Sequence, residues 1–303
     1  MAHREGTFSI CALDPSAQEV GCAVQSRYFS VGSVVPWAKA GVGAVATQAA
    51  GVAAYGPRVL ALLEQGQTPA DALASVLADD PGRETRQLGA IAADGRASAH
   101  TGSECLAWAG HRVGDGYAVQ GNILAGERVV AEMERAFLET SGTLAERLVS
   151  ALEAGQAAGG DVRGQQSAAI VVERVGAAQE SRDGLDRVCE LRVEDHPEPI
   201  AELRRLLEIH LVWDAVRRAS RFHEPGRYEE GVAVLRRAAA EHGDDAVLLY
   251  DLACFESLAG LPEDALRHLA RALELDPQLR AGAAADSDFD AVRQDPRFAV
   301  LVS

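Results

Sequence analysis

The chain has 303 residues, a formal net charge of −16 and a pI near 4.9, and this acidic balance excludes the basic face that a nucleic-acid-binding protein needs. No basic cluster indicates an anionic membrane surface as partner, and no apolar run approaches the roughly 18 residues of a membrane span. The five cysteines are scattered and include no C-x-x-C pair, which favours a reducing cytoplasm over a disulfide framework. The length allows two domains.

The first half of the chain alternates strand-like and helix-like stretches. Residues 7–26 predict a β-hairpin, because TFSICAL alternates between two faces and the turn residues of DPSAQE precede a second strand-like stretch, VGCAVQS. A glycine-rich strand, GVGAVATQA, then precedes two helices. The second helix is expected to begin with Thr68 as N-cap and Pro69 at its first position.

A second hairpin is predicted around Asp94 and Gly95, where the strand-like LGAIA and RASAH flank a turn. Two amphipathic helices follow over residues 126–158, before the strand-like SAAIVVERV and CELRVEDH. Both helix pairs therefore fall between blocks of strands. This order predicts an α+β domain whose helices pack outside a central pair of sheets.

From about residue 200 the sequence is almost wholly helical and carries an internal repeat. Stretches that begin at Gly226 and Gly260 align at a period of about 34 residues, and they resemble tetratricopeptide repeats, which bind peptides or proteins. The second copy has the small and apolar contact residues Leu252, Ala253, Gly260, Ala265, Leu269, Ala272 and Pro277. The first copy, roughly residues 212–245, lacks the proline. The predicted domains are residues 1–205 and residues 206–303.

Lys39 is the only lysine among 29 basic residues, and it lies in the apolar stretch VVPWAKAGVGAVATQA. An ammonium can exchange its proton when burial or charge lowers its pKa, whereas a guanidinium stays charged. The alternative is a strand-end lysine that reaches solvent. The segment from Gly6 and Thr7 through a hairpin to Lys39 resembles the start of N-terminal-nucleophile hydrolases, proteasome β-subunits included.

That resemblance implies a chemistry for Thr7. The chain would cut its own Gly6–Thr7 bond, the freed Thr7 would supply the hydroxyl nucleophile and an amine base, and Lys39 would lower the pKa of that amine. Six residues precede Thr7, so that self-cleavage or a protease is needed to free it.

A narrower resemblance covers about residues 6–210. Segments such as TFSICALDP, GYAVQGNILAG and LRVEDHPEPIAELRRLLEIH look like the prokaryotic "domain of unknown function 1028" family, which has an N-terminal-nucleophile-like fold and no settled substrate. The resemblance implies an α+β fold, an αββα four-layer sandwich, followed here by a small all-α helical-repeat domain. It places Thr7 at the nucleophile position of the first strand.

Further polar residues lie where predicted strands begin or end. The candidates for substrate binding are Ser26, Arg27, Thr47, Gln48, Arg86, Gln120, Asn122 and Ser167. A strand end followed by a helix start near Tyr55 offers backbone N–H groups to an oxyanion. Asp161 and Arg163 precede the SAAIVV strand, where the superfamily tends to place residues that support the nucleophile. No spacing indicates a metal site, a phosphate loop or a dinucleotide site, so neither a metal nor a cofactor is expected.

The leading hypothesis is an amide-bond hydrolase of the N-terminal-nucleophile type that acts on a small or peptide-like amide, with Thr7 and Lys39 as catalytic residues. The alternative is a non-catalytic ligand- or partner-binding protein that retains the hydrolase fold, with the helical repeats recruiting a protein partner. A third hypothesis uses Cys11 or Cys22 as an internal nucleophile, which requires no cleavage. By analogy with the superfamily we expect a homo-oligomer, and neither nucleic acid nor a membrane as partner.

Overall fold

The computed structural model describes residues 6–179, 184–224 and 226–303. The chain divides into two compact units, Met1–Leu207 and Glu208–Ser303. The first unit mixes helices with antiparallel sheets, and the second is helical. None of the helices in the described residues combines the length and the apolar composition that a membrane span needs.

The described residues of the first unit form two sheets, and every strand pair in them is antiparallel. The strands are β1 (Thr7–Asp14), β2 (Glu19–Ser26), β3 (Pro36–Lys39), β4 (Gly43–Ala49), β5 (Arg86–Ala92), β6 (Ala97–Thr101), β7 (Gly110–Gly114), β8 (Tyr117–Asn122), β9 (Ser167–Arg174) and β10 (Arg187–Val193). The larger sheet has the order β10-β9-β2-β1-β8-β7, and the smaller sheet has the order β3-β4-β5-β6.

Helices cover one face of each sheet. They are α1 (Tyr55–Glu64) and α2 (Pro69–Leu77) on the smaller sheet, and α3 (Arg128–Glu139) and α4 (Leu144–Ala157) on the larger sheet. A further helix, α5 (Pro199–Ser220), begins in the first unit and ends in the second. The start of α2 is as predicted, because Thr68 Oγ1 accepts a hydrogen bond from the Asp71 N–H and Pro69 occupies the first turn. Apolar side chains of α1 and α2 pack on β4 and β5.

The larger sheet receives α3 and α4 on its outer face. Phe8 of β1 lies under this pair, and Gly155 allows the close approach: a Cβ there would lie 2.7 Å from Met133 Cγ and 3.3 Å from Phe8 Cε2. The opposite faces of the two sheets share one apolar cluster, to which Cys11 and Val24 contribute from the larger sheet and Ile91 from the smaller. Burial of such side chains contributes about 1.5–3 kcal/mol each.

Among the described residues, the second unit consists of the end of α5 and five further helices. These are α6 (Tyr228–His242), α7 (Ala246–Leu258), α8 (Pro262–Leu275), α9 (Arg280–Ala285) and α10 (Pro296–Val302). Asp245 caps α7 by accepting hydrogen bonds from two N–H groups of its first turn, at 2.9 and 3.0 Å. Gly231 of α6 lies against Phe255 of α7, where a Cβ would lie 2.2 Å from the ring. Only glycine therefore allows this approach of the two helices.

Candidate functional site

Polar residues at four strand ends lie side by side at one end of the larger sheet. Thr7, the first residue of β1, pairs with Ser26 at the end of β2 and with Asn122 at the end of β8. Ser26 in turn pairs with Ser167, the first residue of β9. Antiparallel pairing brings the start of one strand beside the end of the next. The structure thus brings together four predicted site residues from distant parts of the sequence, and all four are buried.

The Thr7 hydroxyl lies beside the peptide bond that precedes it. Ser26 Oγ donates a hydrogen bond to the Gly6 carbonyl oxygen at 2.7 Å, and Thr7 Oγ1 lies 2.9 Å from Ser26 Oγ. Because a hydroxyl carries one proton, Ser26 accepts the hydrogen bond from Thr7. Arg163 Nη2 donates to the same Gly6 oxygen at 2.8 Å. Two donors therefore converge on the carbonyl of the Gly6–Thr7 bond, an arrangement that stabilises negative charge on that oxygen.

Asp161 fixes the position of Arg163. The Asp161 carboxylate is fully buried and accepts hydrogen bonds from Arg163 Nη2 at 2.6 Å and from Arg163 Nε at 3.0 Å. A guanidinium held at two points by one carboxylate has little freedom to turn. Gly6 packs directly on this carboxylate, since a Cβ at residue 6 would lie 2.5 Å from Asp161 Oδ2. The glycine before Thr7 is therefore a requirement of the packing.

Gln48 and Gln87 form a polar layer between the two sheets next to Thr7. Gln48 Nε2 donates to Gln87 Oε1 at 2.9 Å and lies 3.3 Å from the carbonyl oxygen of Thr7. Asn122 Nδ2 donates to the same Gln87 oxygen at 2.9 Å. Gln87 Nε2 donates to the Gly121 carbonyl at 2.8 Å. Gln87 thus joins the smaller sheet to the strand beside Thr7.

Ser9 and Gln120 continue this layer along β1 and β8. Ser9 Oγ donates to Gln48 Oε1 at 2.6 Å, and Gln120 Nε2 donates to Ser9 Oγ at 2.6 Å. Gly89 leaves the space that Gln120 occupies, because a Cβ there would lie 1.9 Å from Gln120 Oε1. The side-chain amides of Gln48, Gln87, Gln120 and Asn122 are all buried. We define these residues together with Ser9 as the amide layer.

A cavity of about 170 Å³ opens beside Thr7. It is lined by Thr7, Ser26, Tyr28, Val31, Val34, Val35, Thr47, Gln48, Ala49, Gly51 and Ala53. Ala49 has a φ of 65°, a left-handed conformation that is strained for a residue other than glycine. Among the described residues, no protein acceptor receives a hydrogen bond from the N–H groups of Gly51 and Ala53. The turn that precedes α1 therefore brings available backbone donors to the wall of this cavity.

Lys39 does not belong to this site. Its Nζ lies 2.7 Å from Glu64 Oε1, and both side chains are about half exposed. Lys39 is the last residue of β3 and pairs with Gly43, the first residue of β4. The cavity is lined by Thr47, which lies near the opposite end of β4. The predicted catalytic role of Lys39 is therefore corrected. The cation at the Gly6–Thr7 bond is Arg163.

The two arginines predicted to bind substrate are engaged elsewhere. Arg27 Nη1 donates to the Gln165 carbonyl at 2.7 Å. Arg86 Nε lies 2.8 Å from Asp80 Oδ2, and its hydrogen bonds hold the pKa of the Asp80 carboxyl well below its usual range. Neither arginine lines the cavity at Thr7. Both contacts stabilise loops of the first unit.

Ser167 and Thr47 support the walls of the cavity. Ser167 Oγ donates to the Tyr28 carbonyl at 2.5 Å and accepts from the Val31 N–H at 3.0 Å, which holds the segment that follows β2. Thr47 Oγ1 donates to the Val52 carbonyl at 3.2 Å. Ser167 thus acts on the cavity through backbone that it positions, whereas Thr47 lines the cavity itself.

The cysteines predicted as alternative nucleophiles lie in the apolar cluster between the sheets. Cys11 and Cys22 face each other across the β1–β2 pair, and both are fully buried free thiols. Burial raises the pKa of the Cys11 thiol well above its usual value, which disfavours the nucleophilic thiolate. Neither thiol lines the cavity at Thr7. The geometry gives no support to a cysteine nucleophile.

The first unit matches a family model described as "Family of unknown function (DUF1028)" over residues 7–203. The chain belongs to the DUF1028 family. It is also similar to the crystal structure of the DUF1028 protein SPO2555 from Silicibacter pomeroyi, with 34% sequence identity and a TM-score of 0.61, over 67% of this chain and 85% of that one. No curated protein matches this chain. Because the function of the family is unknown, an activity has to be argued from the site.

Proposed function

We propose that this DUF1028 protein is an amide hydrolase of the N-terminal-nucleophile type, with Thr7 as its nucleophile. The observation that carries the proposal is the environment of the Gly6 carbonyl oxygen. It accepts hydrogen bonds from Ser26 and Arg163, while the Thr7 hydroxyl donates to Ser26. These contacts surround the one peptide bond that must break before Thr7 has a free amine.

The arrangement of the first unit supports the corresponding fold, an αββα sandwich. Helices α1 and α2 pack on the smaller sheet, and α3 and α4 on the larger sheet. The remaining faces of both sheets share an apolar cluster. Thr7 begins β1, the strand at which this superfamily carries its nucleophile.

The first reaction is cleavage of the chain at Gly6–Thr7. Thr7 Oγ1 attacks the Gly6 carbonyl carbon, and the negative charge that develops on the carbonyl oxygen is stabilised by Ser26 Oγ and Arg163 Nη2. The C–N bond then breaks, the hydroxyl proton is transferred to the Thr7 nitrogen, and Gly6 is left as an ester on Thr7 Oγ1. Water hydrolyses this ester to the Gly6 carboxylate and the free hydroxyl.

The second reaction uses the amine that cleavage has freed. This amine accepts the Thr7 hydroxyl proton as Oγ1 attacks a substrate amide, and it returns the proton to the leaving amine. Water then hydrolyses the acyl-enzyme ester. Gly51 and Ala53 line the cavity and have N–H groups without a protein acceptor among the described residues, and we assign these N–H groups as donors to the substrate oxyanion.

The intact mass of the purified protein tests this proposal. We expect the wild type to lose the mass of residues 1–6, Thr7→Ser to do so as well because it keeps a hydroxyl, and Thr7→Ala to stay full length. Thr140→Ala, a threonine at the end of α3, is the matched control and is expected to be cleaved. Full-length mass for the wild type together with no adduct of a hydroxyl-reactive β-lactone on Thr7 would overturn the proposal in favour of a non-catalytic binding protein.

The second unit supports an independent proposal, a tetratricopeptide-like helical array that binds a protein or peptide. The observation that favours it is the contact of Gly231 with Phe255, since such repeats pair their helices through small residues. Gly231→Val is expected to shift the urea unfolding of the helical signal to lower concentration. An unchanged unfolding curve contradicts the helix pairing on which the proposal rests.

A further inference from the structure

We propose that a second cavity of the first unit, between β3 and the strands β9 and β10, binds a small zwitterion of the α-amino acid class. The ligand carboxylate pairs with Arg192, and the ligand ammonium pairs with Glu190. Thr7 does not line this cavity, so the site lies outside the one that carries the proposed function. Its chemistry follows from the strand that forms its wall, from the contacts of Arg192 and from the balance of charge.

The charged wall of the cavity belongs to β10, an edge strand of the larger sheet. Cys189 and Val193 of this strand are buried, whereas Glu190 and Arg192, which alternate with them, line the cavity. The pairing of β10 with β9 shifts its register between Arg187 and Cys189. Such a shift interrupts the alternation of a strand, and Arg187 therefore lines the same cavity.

Arg192 has donors to offer to a ligand. Among the described residues, no protein acceptor receives a hydrogen bond from its guanidinium, and its Nε is buried without a partner. The ion pair with Glu194 leaves Nε 3.4 Å from Oε1 and does not form a hydrogen bond. Gly32 packs on the side chain, since a Cβ at residue 32 would lie 2.9 Å from Nε. Because a guanidinium presents its N–H groups as a fork that matches a carboxylate, Arg192 is suited to bind one.

Glu190 offers the opposite charge beside it. Its side chain is 34% exposed, and it pairs with Arg187 through one carboxylate oxygen, Oε2. The other oxygen is an acceptor for a ligand ammonium. Glu173 is less suited to this task, because its Oε2 already accepts a hydrogen bond from the Ala40 N–H at 2.9 Å and its side chain is only 15% exposed.

The charges of the lining balance. Two arginines, Arg187 and Arg192, and two glutamates, Glu173 and Glu190, line the cavity. A ligand with a single charge would gain a partner for that charge and leave the opposite charge of the wall without one. A zwitterion satisfies Arg192 and Glu190 together, and hydrogen bonds between charged groups are the stronger ones in proteins.

The size of the cavity limits the ligand to about one amino acid. Its volume of about 290 Å³ lies just below the roughly 300–1,000 Å³ of sites that enclose drug-sized ligands. Pro36 and Ala38 of β3 form the wall that faces β10, and they contribute no charge. The rest of the ligand therefore lies against β3, while its two charged groups face β10.

Isothermal titration calorimetry of the full chain with three probes tests the proposal. The probes are L-leucine, 4-methylpentanoate, which lacks the ammonium group, and isopentylamine, which lacks the carboxylate. We expect L-leucine to bind at least about tenfold more tightly than either analogue, because a hydrogen bond to a charged group contributes about this factor. Equal affinity of the three probes, or no binding of L-leucine at millimolar concentration, would overturn the proposal.

Two substitutions assign the charged groups. Arg192→Met is expected to weaken L-leucine binding at least about tenfold and to leave isopentylamine unchanged, whereas Arg192→Lys keeps a charge and recovers part of the loss. Glu190→Gln is expected to weaken L-leucine and to leave 4-methylpentanoate unchanged. Arg128→Met and Glu139→Gln, at side chains that are 79% and 62% exposed, are the matched controls.

The same titration separates this site from the cavity at Thr7. Thr7→Ala is expected to bind L-leucine as tightly as the wild type does. If Thr7→Ala lost the binding and Arg192→Met kept it, the amino acid would occupy the cavity at Thr7 and the proposed site would be wrong. Urea titration of Arg192→Met checks that the variant is folded, and a folded variant with wild-type affinity would also contradict the proposal.

Discussion

The space between the two sheets has a polar end and an apolar end, and the same strands build both. On β1 the inward positions change from Thr7 and Ser9 to Cys11 and Leu13. The apolar end gains free energy from every methylene that it removes from water. The polar end has to recover the cost of desolvated amides through its hydrogen bonds alone.

This difference indicates what each end does. A continuous apolar cluster would be the more stable filling, so an amide layer next to Thr7 is best explained by the geometry that it holds. Gln48 contacts the carbonyl of Thr7, and Gln87 ties Gln48 to Asn122 on the neighbouring strand. The apolar end is expected to carry stability, and the polar end to carry the position of Thr7.

The largest expected effect is on the rate of cleavage, and it comes from Arg163 beside the polar end. Arg163→Met removes one of two donors to the Gly6 oxygen and is expected to slow cleavage at Gly6–Thr7 by about 100–1,000-fold, followed as a time course of intact mass. Arg163→Lys keeps a positive charge beside the buried Asp161 and should recover part of the rate. The control is Arg128→Met, since the Arg128 side chain is 79% exposed. Wild-type cleavage in Arg163→Met would remove Arg163 from the reaction.

The next largest effect is expected from a substitution at the apolar end, and it is an effect on stability alone. Ile91→Ala leaves a cavity in the fully buried cluster between the sheets and is expected to lower the free energy of unfolding by about 2–5 kcal/mol in a urea titration. Val113→Ala, at a position that is 42% exposed, is the control. Cleavage at Gly6–Thr7 should keep its rate in both variants. Slowed cleavage in Ile91→Ala would show that the two ends do not act separately.

Gln87→Leu is expected to lower stability less than Ile91→Ala does. Unlike Ile91→Ala, it is also expected to slow cleavage at Gly6–Thr7. The substitution removes the acceptor shared by Gln48 Nε2 and Asn122 Nδ2, and buried donors without a partner cost about 1–3 kcal/mol. Urea titration measures the loss, and intact mass measures the cleavage. Gln65→Leu, at an exposed glutamine, serves as control. If Gln87→Leu unfolds at a lower urea concentration but is cleaved at the wild-type rate, the amide layer contributes to stability and not to cleavage.

Local patterns in the sequence were sufficient to predict much of the secondary structure of the first unit. The hairpin over residues 7–26 and the helix capped by Thr68 are present because alternation and capping act between near neighbours. The short strand β7 was not predicted, and β3 was indicated only by the alternative in which Lys39 ends a strand. They span four and five residues and contain no fully buried position, so their pairing partners define them rather than their own composition.

The candidate site was only partly predictable, because its geometry depends on strand register and on chain outside the strands. Thr7, Ser26 and Asn122 could be named since polar residues at strand ends are conspicuous. Ser9 and Gln87 were missed as site residues, because sequence alternation does not tell which face of a strand meets the second sheet. The sequence analysis assigned the cation near Thr7 to Lys39 because it is the only lysine. In the structure, Lys39 pairs with Glu64, and Arg163, in an irregular segment before β9, contacts the Gly6 carbonyl.

Lys39→Met is expected to have the smallest effect and tests that correction directly. An ion pair whose two side chains are about half exposed contributes at most about 1 kcal/mol, so the unfolding curve should hardly move. Glu64→Gln breaks the same pair from the other side and is the matched control. Because Lys39 contacts neither Gly6 nor the cavity, cleavage and amide hydrolysis should keep their wild-type rates. If Lys39→Met stopped cleavage while Glu64→Gln did not, the ammonium would have to reach Thr7, and Arg163 would lose the role assigned to it.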